Sequence, residues 1–336
     1  MPHSAQPVAI EDLQSAVAAF AGRRLLVWGD FVADRFLHGS TTRVSREAPA
    51  LVLRYEGEEV RPGGAGNAAL NAAALGAEVT ACGFVGADPA GAALLRALAD
   101  AGIDTEHIAR RSDGATPVKT RVMAGGRHTV RQQILRIDDE TAWSQNAASE
   151  DVAAAIGDLA ADADGVMISD YGLDTVCAAA AREWLATDPG VPVVVDSRHR
   201  LLEFPGVSAA TPNEGEAEHI VRRSFDNDKS LVEAAAVEIA GKLGCDHLLI
   251  TRGSHGMAVF PRDQKPVHLP THGTHDIADV TGAGDTVIAS FTLALAAGSD
   301  ALRAAQVANV AAGLAVLKYG TATVTTAELL GALRSV

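Results

Sequence analysis

The segment DVTGAGD, residues 279–285, places two glycines and an acid at the start of an apolar, helix-compatible run. Gly282 and Gly284 leave the backbone N–H groups of this segment uncovered by side chains. A helix N-terminus carries unpaired N–H donors and the positive end of the helix dipole, so it favours an anion. The spacing therefore predicts an anion site at this helix mouth, with the carboxylate of Asp285 beside it. The loop residues of the predicted site are Gly282, Ala283 and Gly284.

Polar side chains also follow several short apolar runs that indicate buried parallel strands. In an open α/β sheet, ligands bind beyond the carboxyl ends of the strands, which meet at one edge. So many polar residues on one predicted edge favour a binding site over ordinary solvated loops. The residues concerned are Asp30, Asp34, Asp170, Asp196, Asn213 and Glu216.

The elements that must position these residues follow a regular order. Apolar runs such as RLLVWGD and GVMISDY alternate along the chain with Ala-rich stretches such as LVEAAAVEIAGKLG. This alternation is typical of βαβ units. The sequence therefore predicts a doubly wound α/β fold with a mostly parallel sheet.

The alternation breaks at about residues 36–60 and 116–137, where polar and apolar residues alternate as in solvent-facing antiparallel strands. No low-complexity linker or internal repeat separates these segments from the rest. We therefore expect a single domain over residues 1–336, with a small β-sheet lid formed by the two insertions. Exposed edges of such a lid favour pairing with a second copy, so we expect a homodimer.

The composition indicates which kinds of molecule the protein can bind. A formal net charge of −14 argues against a nucleic-acid binder, and no apolar stretch is long enough to span a membrane. The three cysteines are far apart and form no CxxC pair, which fits a reducing cytoplasm. The N-terminus carries acids where a signal peptide needs a basic region. We expect a cytoplasmic protein that acts on a small molecule.

Several motif families are excluded or weakly supported. Neither GxxxxGK[ST] nor the HRD and DFG motifs occur, so P-loop enzymes and protein kinases are poor fits to this sequence. The segment RPGGAGNAALNAAALG has a GxGxxA spacing at Gly64, Gly66 and Ala69, but it does not open the first βαβ unit as a dinucleotide fingerprint should. Asn67 in this loop suggests hydroxyl binding, or alternatively a helix cap near Gly66.

Five motifs together carry a family resemblance. DVTGAGD, GGAGN, TPNEGE, TRGSHG and NVAAGLAVLKYGT occur in the order expected of the ribokinase-like (PfkB) carbohydrate kinases, and the resemblance covers nearly the whole chain from about residue 24. It implies an ATP-dependent sugar kinase that uses Mg²⁺, and it leaves open a monovalent cation such as K⁺.

A narrower resemblance concerns the acceptor. GDFVADRFLHGSTTRVSREAP, RPGGAGNAALNAAALGA, ISDY and DVTGAGDTVIA look like the heptose 7-phosphate kinases of ADP-heptose synthesis. This resemblance implies phosphorylation of the anomeric hydroxyl of D-glycero-D-manno-heptose 7-phosphate to the 1,7-bisphosphate. The nucleotidyltransferase domain of the fused kinases is not in this sequence, which leads us to expect the stand-alone kinase.

The resemblance also implies roles for individual residues. Phosphoryl transfer needs a proton acceptor for the attacking hydroxyl and positive potential around the transferred oxygens. Asp285 would be the acceptor, and the N–H groups of residues 282–285 would hold the γ-phosphoryl group of ATP. Asn213 and Glu216 resemble the NxxE pair that organises Mg²⁺ largely through water. The nucleotide would contact Thr251, Gly253, Gly256 and Asn309, the last by adenine. The sugar hydroxyls would contact Asp34, Gly64 and Asn67, with Asp30 a weaker candidate.

The chain departs from the heptose-kinase pattern in three places. The motif DYxKG reads DYGLDT here, so the lysine is missing and Asp174 adds a negative charge. A DPKG-like element reads DSRH, with Arg198 in place of the lysine, and Arg46 stands where proline is expected. These departures leave phosphoryl transfer intact and leave open another sugar or sugar phosphate. An NAD-dependent dehydrogenase and a non-catalytic sugar- or nucleotide-binding regulator remain as more distant alternatives.

A phosphate on the substrate would then be bound by arginine, whose paired N–H donors match phosphate oxygens. Arg136 is the first choice because the segment ILRID lies where a lid strand would return toward the site. A solvated strand arginine is the alternative. The other candidates are Arg121, Arg43 and Arg198.

Overall fold

The computed structural model describes residues 8–125, 131–140, 148–273 and 278–334. In these ranges the strands are β1 (Arg24–Gly29), β2 (Phe31–Val44), β3 (Leu51–Gly64), β4 (Glu78–Gly86), β5 (Asp104–Arg111), β6 (Val118–Gly125), β7 (Gln132–Asp139), β8 (Gly165–Asp170), β9 (Val193–Ser197), β10 (Ala209–Ala210), β11 (His247–Thr251), β12 (Met257–Pro261) and β13 (Val267–Leu269). The helices are α1 (Ile10–Ala18), α2 (Ala65–Ala74), α3 (Pro89–Asp100), α4 (Ala148–Ala161), α5 (Ala178–Leu185), α6 (Glu214–Val221), α7 (Lys229–Leu243), α8 (Ala283–Ala296), α9 (Ala301–Ala315) and α10 (Thr326–Leu333).

The main sheet has nine strands in the order β13-β12-β11-β10-β9-β8-β1-β4-β5. All neighbours from β5 to β11 pair in parallel, and only β12 and β13 pair in antiparallel fashion at one edge. This confirms the predicted doubly wound, mostly parallel α/β fold. The chain builds outward from β1 first toward β5 and later toward β13, so the strand order reverses between β1 and β8. Ligands of such sheets bind at the carboxyl edge at this reversal point.

The core lies on both faces of this sheet because successive side chains of a strand point to opposite sides. Leu25 and Val27 of β1 pack with α1, α2, α3, α8, α9 and α10 on one face. Leu26 and Trp28 pack with α4, α5, α6 and α7 on the other. The continuous apolar character of β1 therefore reflects burial on both sides, as predicted.

A second sheet of four strands has the order β3-β2-β6-β7 and contains both segments in which the main alternation breaks. The hairpins β2–β3 and β6–β7 are antiparallel, as expected, but β2 pairs with β6 in parallel. The expectation of purely antiparallel strands was wrong on this point. Both β2 and β6 begin near the carboxyl edge of the main sheet, where Ala33 N–H donates to the carbonyl of Pro117, and they run outward side by side.

Gly29, the last residue of β1, allows α2 to lie close to the main sheet. A Cβ built on Gly29 would fall 2.7 Å from the Cβ of Ala65 in α2 and would also clash with the carbonyl oxygen of Ser169 in β8. A side chain larger than hydrogen would therefore force α2 away from β1. This contact matters for the site because α2 carries Asn67.

We expect Gly29→Ala to lower the free energy of unfolding by about 1 to 3 kcal/mol, the usual cost of adding a methyl group to a filled core. The matched control is Gly241→Ala in α7, where a built Cβ meets no atom within 4 Å. The control should stabilise the protein by about 0.5 to 1 kcal/mol, since alanine favours helix over glycine. Urea denaturation measures both, and an equal effect of the two substitutions would contradict the close approach at Gly29.

Candidate active site

Asp285 lies in the first turn of α8 and is buried, with 5% of its surface exposed. Its Oδ2 accepts a hydrogen bond of 2.7 Å from the amide of Asn67, and its Oδ1 accepts one of 2.6 Å from the hydroxyl of Tyr171. Burial raises the pKa of Asp285 to about 6, while the two hydrogen bonds lower it and the charge of Asp34 raises it. The result is a buried carboxylate held by two donors, with a pKa near neutrality.

The helix mouth predicted from the glycines is present. Gly282 caps α8 with a φ of 79°, and a Cβ there would lie 2.5 Å from the amide nitrogen of Asn67. The N–H groups of Gly284 and Asp285 fall in the first turn, where amides have no acceptor within the helix. The N–H of Ala283 contacts the carbonyl of Val280 at 3.3 Å. Gly284 is exposed, and a Cβ built on it meets no neighbouring atom within 4 Å, so the space beside this residue is open.

Asn67 is fully buried within α2 and does not cap that helix. The N-cap is Gly64, which has a φ of 56°, and no side chain caps the helix. The start of α2 is held to the residue after β1 by the N–H of Ala65, which donates to the carbonyl of Asp30 at 3.0 Å. Of the two interpretations of Asn67, the cap is therefore wrong, and the observed role of its amide is to hold Asp285.

Asp34 forms a buried ion pair with Arg121, at 3.1 Å between Oδ1 and Nη2. Gly63 on the paired strand leaves room for this carboxylate, because a Cβ there would clash with Asp34 Oδ2. Burial raises the pKa of Asp34, and Arg121 opposes that rise. The second sheet thus brings a carboxylate and a guanidinium to the side of Asp285.

Asp30 has a different environment from the other predicted sugar ligands. Its carboxylate accepts the backbone N–H groups of Tyr171 at 2.7 Å, Leu173 at 3.1 Å and Thr175 at 3.1 Å. Burial and the neighbouring Asp170 raise the pKa of Asp30 to about 6. The observed function of this side chain is to hold the loop after β8, and its role in sugar binding stays a prediction.

The same loop contains the departures from the DYxKG pattern. Asp174 stands at the position of the motif's glycine and has a φ of 64°, a conformation that glycine adopts freely and aspartate tolerates better than most residues. Arg200 lies 3.7 Å from Asp174 and also forms an ion pair with the fully buried Asp170. Ser197 donates to Asp170 at 2.6 Å. An arginine after β9 thus balances the acids of this loop.

Asn213 and Glu216 form the N-terminal capping box of α6. The Asn213 side chain accepts from the N–H of Glu216 at 2.9 Å, and Glu216 Oε2 accepts from the N–H of Asn213 at 2.8 Å. Burial raises the pKa of Glu216, and burial together with Glu216 and Asp285 raises that of Asp196 well above its usual range. A nearby cation would relieve this repulsion between carboxylates, so hard oxygen ligands suited to Mg²⁺ are present.

No group of three or more acidic, histidine or cysteine side chains is arranged to hold a metal directly in the described ranges. The metal role of Asn213 and Glu216 stays a prediction.

The TRGSHG segment is joined to the α6 N-terminus. The N–H of Thr251 donates to the carbonyl of Pro212 at 3.1 Å, and the buried Arg252 lies 3.2 Å from Glu214. Gly253 has a φ of 52° and Gly256 one of 82°. A Cβ on Gly256 would clash with the carbonyl of Leu269, so packing alone already requires glycine there. Asn309 donates to the carbonyl of Pro270 at 2.7 Å and so fixes the adjoining segment.

The candidate phosphate-binding arginines do not lie together, because Arg43 is near the outer end of β2, Arg121 and Arg136 are on β6 and β7, and Arg198 follows β9. Arg136 lies on β7, is 44% exposed and pairs with Asp138 at 2.8 Å. It faces Arg121 across the β6–β7 pairing, so the two guanidinium groups belong to neighbouring strands. Arg43 and Arg198 are exposed.

Tyr171 is the site residue that sequence reasoning missed. It follows Asp170 in the quoted ISDY segment, yet a tyrosine after a strand carries no signal of its own, and its contact with Asp285 spans 114 residues. Arg200 and Arg252 were missed for the same reason. Only the fold brings these side chains to their partners.

The fold and site define a ribokinase-like α/β protein. Ribokinase of Arabidopsis thaliana, solved with ribose and ATP, has a TM-score of 0.72 at 20% identity, covering 94% of this chain and 99% of that one. Phosphofructokinase-2 of Escherichia coli, solved with potassium, has a TM-score of 0.72 at 18% identity with the same coverage. At these identities the two structures show the fold.

The family follows from the sequence itself. The profile described as pfkB family carbohydrate kinase matches residues 24–328, so the chain belongs to the pfkB family of carbohydrate kinases. It is thus an ATP-dependent carbohydrate kinase, as predicted. In the described residues, no helix is both long and apolar enough to cross a membrane.

Two curated relatives are similar over most of this chain. Bifunctional protein HldE of Azotobacter vinelandii is 42% identical over 311 residues, covering 92% of this chain and 63% of the relative. Bifunctional protein HldE of Pelobacter propionicus is 41% identical over 321 residues, covering 92% and 62%. The chain therefore spans less than two thirds of the length of these relatives.

Proposed function

We propose that this kinase transfers the γ-phosphoryl group of ATP to the anomeric hydroxyl of D-glycero-D-manno-heptose 7-phosphate, giving the 1,7-bisphosphate. The observation that carries the proposal is the buried Asp285 at the open mouth of α8, held by Asn67 and Tyr171. The choice of sugar is supported by the resemblance to heptose 7-phosphate kinases and by the identity of 42% to a protein named HldE.

In this proposal Asp285 accepts the proton of the attacking hydroxyl as the new P–O bond forms and the bond to ADP breaks. The free N–H groups of the α8 mouth stabilise the negative charge on the transferred oxygens. Asn213 and Glu216 would hold Mg²⁺ through its water shell, and this ion supplies positive charge to the phosphates when bound. Thr251, Gly253, Gly256 and Asn309 would line the nucleotide side.

On the acceptor side, Asp34, Gly64 and Asn67 would border the sugar. The four-stranded sheet would act as a lid over it, because its strand β2 carries Asp34 and continues directly from the edge of the main sheet. Arg136, with Arg121 beside it, would bind the 7-phosphate in competition with their acidic partners. We propose that the kinase is a single domain and works in the cytoplasm.

A second candidate is a kinase of another sugar or sugar phosphate. Leu173 stands where the heptose-kinase pattern has lysine, and Asp174 where it has glycine. These changes fall in the loop that carries Tyr171, next to the acceptor side. They affect the sugar and not the phosphoryl transfer.

We further propose a homodimer formed through the second sheet. Every residue of β7 is exposed at the edge of that sheet, an arrangement that invites pairing with another copy. The exposed large apolar side chains of this sheet include Val44, Leu51, Ile134, Leu135 and Ile137.

The first prediction is that Asp285→Asn abolishes turnover while ATP still binds. The amide keeps the shape of the side chain but accepts no proton, and loss of a general base typically lowers the rate about a hundredfold or more. Turnover is measured by the release of ADP, and ATP binding is measured by calorimetry. Asp162→Asn, at an exposed position, is the control. Near-normal turnover of folded Asp285→Asn protein would reject the assignment.

The second prediction concerns the 7-phosphate. Arg136→Ala should lower kcat/KM for heptose 7-phosphate tenfold or more, the effect of losing a charge-assisted contact worth about 1.5 to 3 kcal/mol. Efficiency on unphosphorylated heptose should not change. The matched control is Arg131→Ala, which removes an exposed arginine paired with Glu56. If the parent protein uses both sugars equally well, there is no phosphate pocket, and the function becomes that of a free-sugar kinase.

The third prediction concerns assembly. Light scattering at micromolar concentration should give the molar mass of two chains. The Leu135→Glu variant should give the molar mass of a single chain, since the substitution places a charge on the apolar face of β7. Val237→Glu is the matched control, because Val237 is an exposed apolar residue on α7, away from the second sheet. A monomeric parent would contradict the dimer and leave the kinase proposal intact.

A further inference from the structure

Tyr171 connects the loop after β8 to Asp285. Its hydroxyl donates to Asp285 Oδ1 at 2.6 Å, and its backbone N–H donates to Asp30 at 2.7 Å. The ring packs near the start of α2, where a Cβ on Gly64 would lie 3.4 Å from Tyr171 Cε2. Contacts of both the backbone N–H and the ring thus fix the position of the Tyr171 hydroxyl.

We infer that Tyr171 is a positioning residue that keeps Asp285 ionised and oriented, and that Asp30 serves the same end by fixing the loop that carries Tyr171. This inference rests on the proposed role of Asp285 as the base. It gives Asp30 a role distinct from sugar binding.

The geometry explains why such a residue is needed. Burial disfavours the charged form of a carboxylate, and a protonated Asp285 has no basic oxygen to receive the proton of the sugar hydroxyl. Asn67 stabilises one oxygen of the charged form, and Tyr171 stabilises the other. Each oxygen keeps a further lone pair, so the two donors hold the carboxylate without blocking it.

The charged groups around Asp285 oppose ionisation. Asp34 of the second sheet raises the pKa of Asp285, although Arg121 partly neutralises Asp34. Asp196 of β9 also lies close enough to interact with Asp285, and its own pKa is raised. A positive group on that side is Arg198, whose charge lowers the pKa of Tyr171 and of Asp196. Hydrogen bonds from Tyr171 and Asn67 are therefore the main forces that keep Asp285 charged.

Asp30 is suited to fix Tyr171 because its carboxylate accepts hydrogen bonds from three backbone N–H groups of the loop. These belong to every second residue, namely Tyr171, Leu173 and Thr175. Its side chain is 1% exposed, so little of it is available to a sugar. The loop it holds is the one that departs from the heptose-kinase pattern. The Tyr171–Asp285 contact persists despite that departure.

The test is the titration of Asp285 in protein without nucleotide or sugar. The carboxyl carbon of Asp285 is followed by NMR in protein labelled with ¹³C-aspartate, and it is assigned by its disappearance in Asp285→Asn. Tyr171→Phe keeps the ring and removes the donor. Since the lost bond stabilised the charged form, the midpoint should rise by about one pH unit, a change of about 1.4 kcal/mol. Tyr55→Phe, at an exposed tyrosine, should leave the midpoint unchanged.

The same shift should appear in the acidic limb of the pH profile of kcat/KM for heptose 7-phosphate. For a one-unit rise from about 6, Tyr171→Phe should be about fivefold less active than the parent at pH 6 and within about twofold at pH 8.5. A merely structural role would lower activity equally at both pH values. An unchanged midpoint in Tyr171→Phe, or an equal loss at both pH values, would overturn the inference.

Asp30→Asn tests whether Asp30 acts by fixing the loop that carries Tyr171. It also replaces Tyr171→Phe as the test if that variant fails to fold. It should raise the Asp285 midpoint in the same direction, and the double variant should show no more shift than Tyr171→Phe alone. Additive shifts, or no shift with a raised sugar KM, would show that Asp30 acts independently of Tyr171. The NMR midpoint is measured without turnover, so it tests the role of Tyr171 alone. The role of Asp285 is tested separately, because near-normal turnover of Asp285→Asn would reject it.

Discussion

The structure of the site depends on one requirement, which is that the carboxylate of Asp285 be buried and yet ionised. Burial raises its pKa to about 6, and the donors placed against both oxygens oppose this rise and favour the charged form at neutral pH. Asn67 comes from α2 and Tyr171 from the loop after β8, and the carboxylate itself lies on α8. Three elements that are far apart in the chain must therefore meet within hydrogen-bond distance.

This meeting depends on close backbone approaches. Gly29 lets α2 approach the end of β1, and Gly282 leaves room for the amide of Asn67. Asp30 follows β1 and binds the loop after β8, so the two strands on either side of the reversal in strand order are joined by the same side chain. The buried carboxylate of Asp285 and its donors therefore meet at the reversal point of the sheet, the edge at which such folds bind their ligands.

The loop after β8 carries unusual side chains and still places Tyr171 on Asp285. Asp174 has a left-handed backbone, which glycine adopts freely, and Arg200 supplies positive charge that balances Asp174 and Asp170. Asp30 continues to hold the loop through main-chain N–H groups, which every residue type but proline provides. Side chains of this loop can thus be substituted while Tyr171 remains on Asp285.

The sequence by itself determined the parallel strands, the helix that begins after Gly282, the two segments of the second sheet and the family, because these follow from local periodicity and from motifs whose residues are close together in the chain. It placed Asp34 and Glu216 at the ends of strands and Asp285 at the mouth of a helix for the same reason. Only the tertiary structure decided that β2 pairs with β6 in parallel, that Asn67 binds Asp285 and does not cap α2, that Asp30 binds a loop, and that Tyr171 contacts Asp285. Each of these rests on a contact between residues distant in the chain, and a side chain shows no sign in its own neighbourhood of a partner that folding brings to it from more than a hundred residues away.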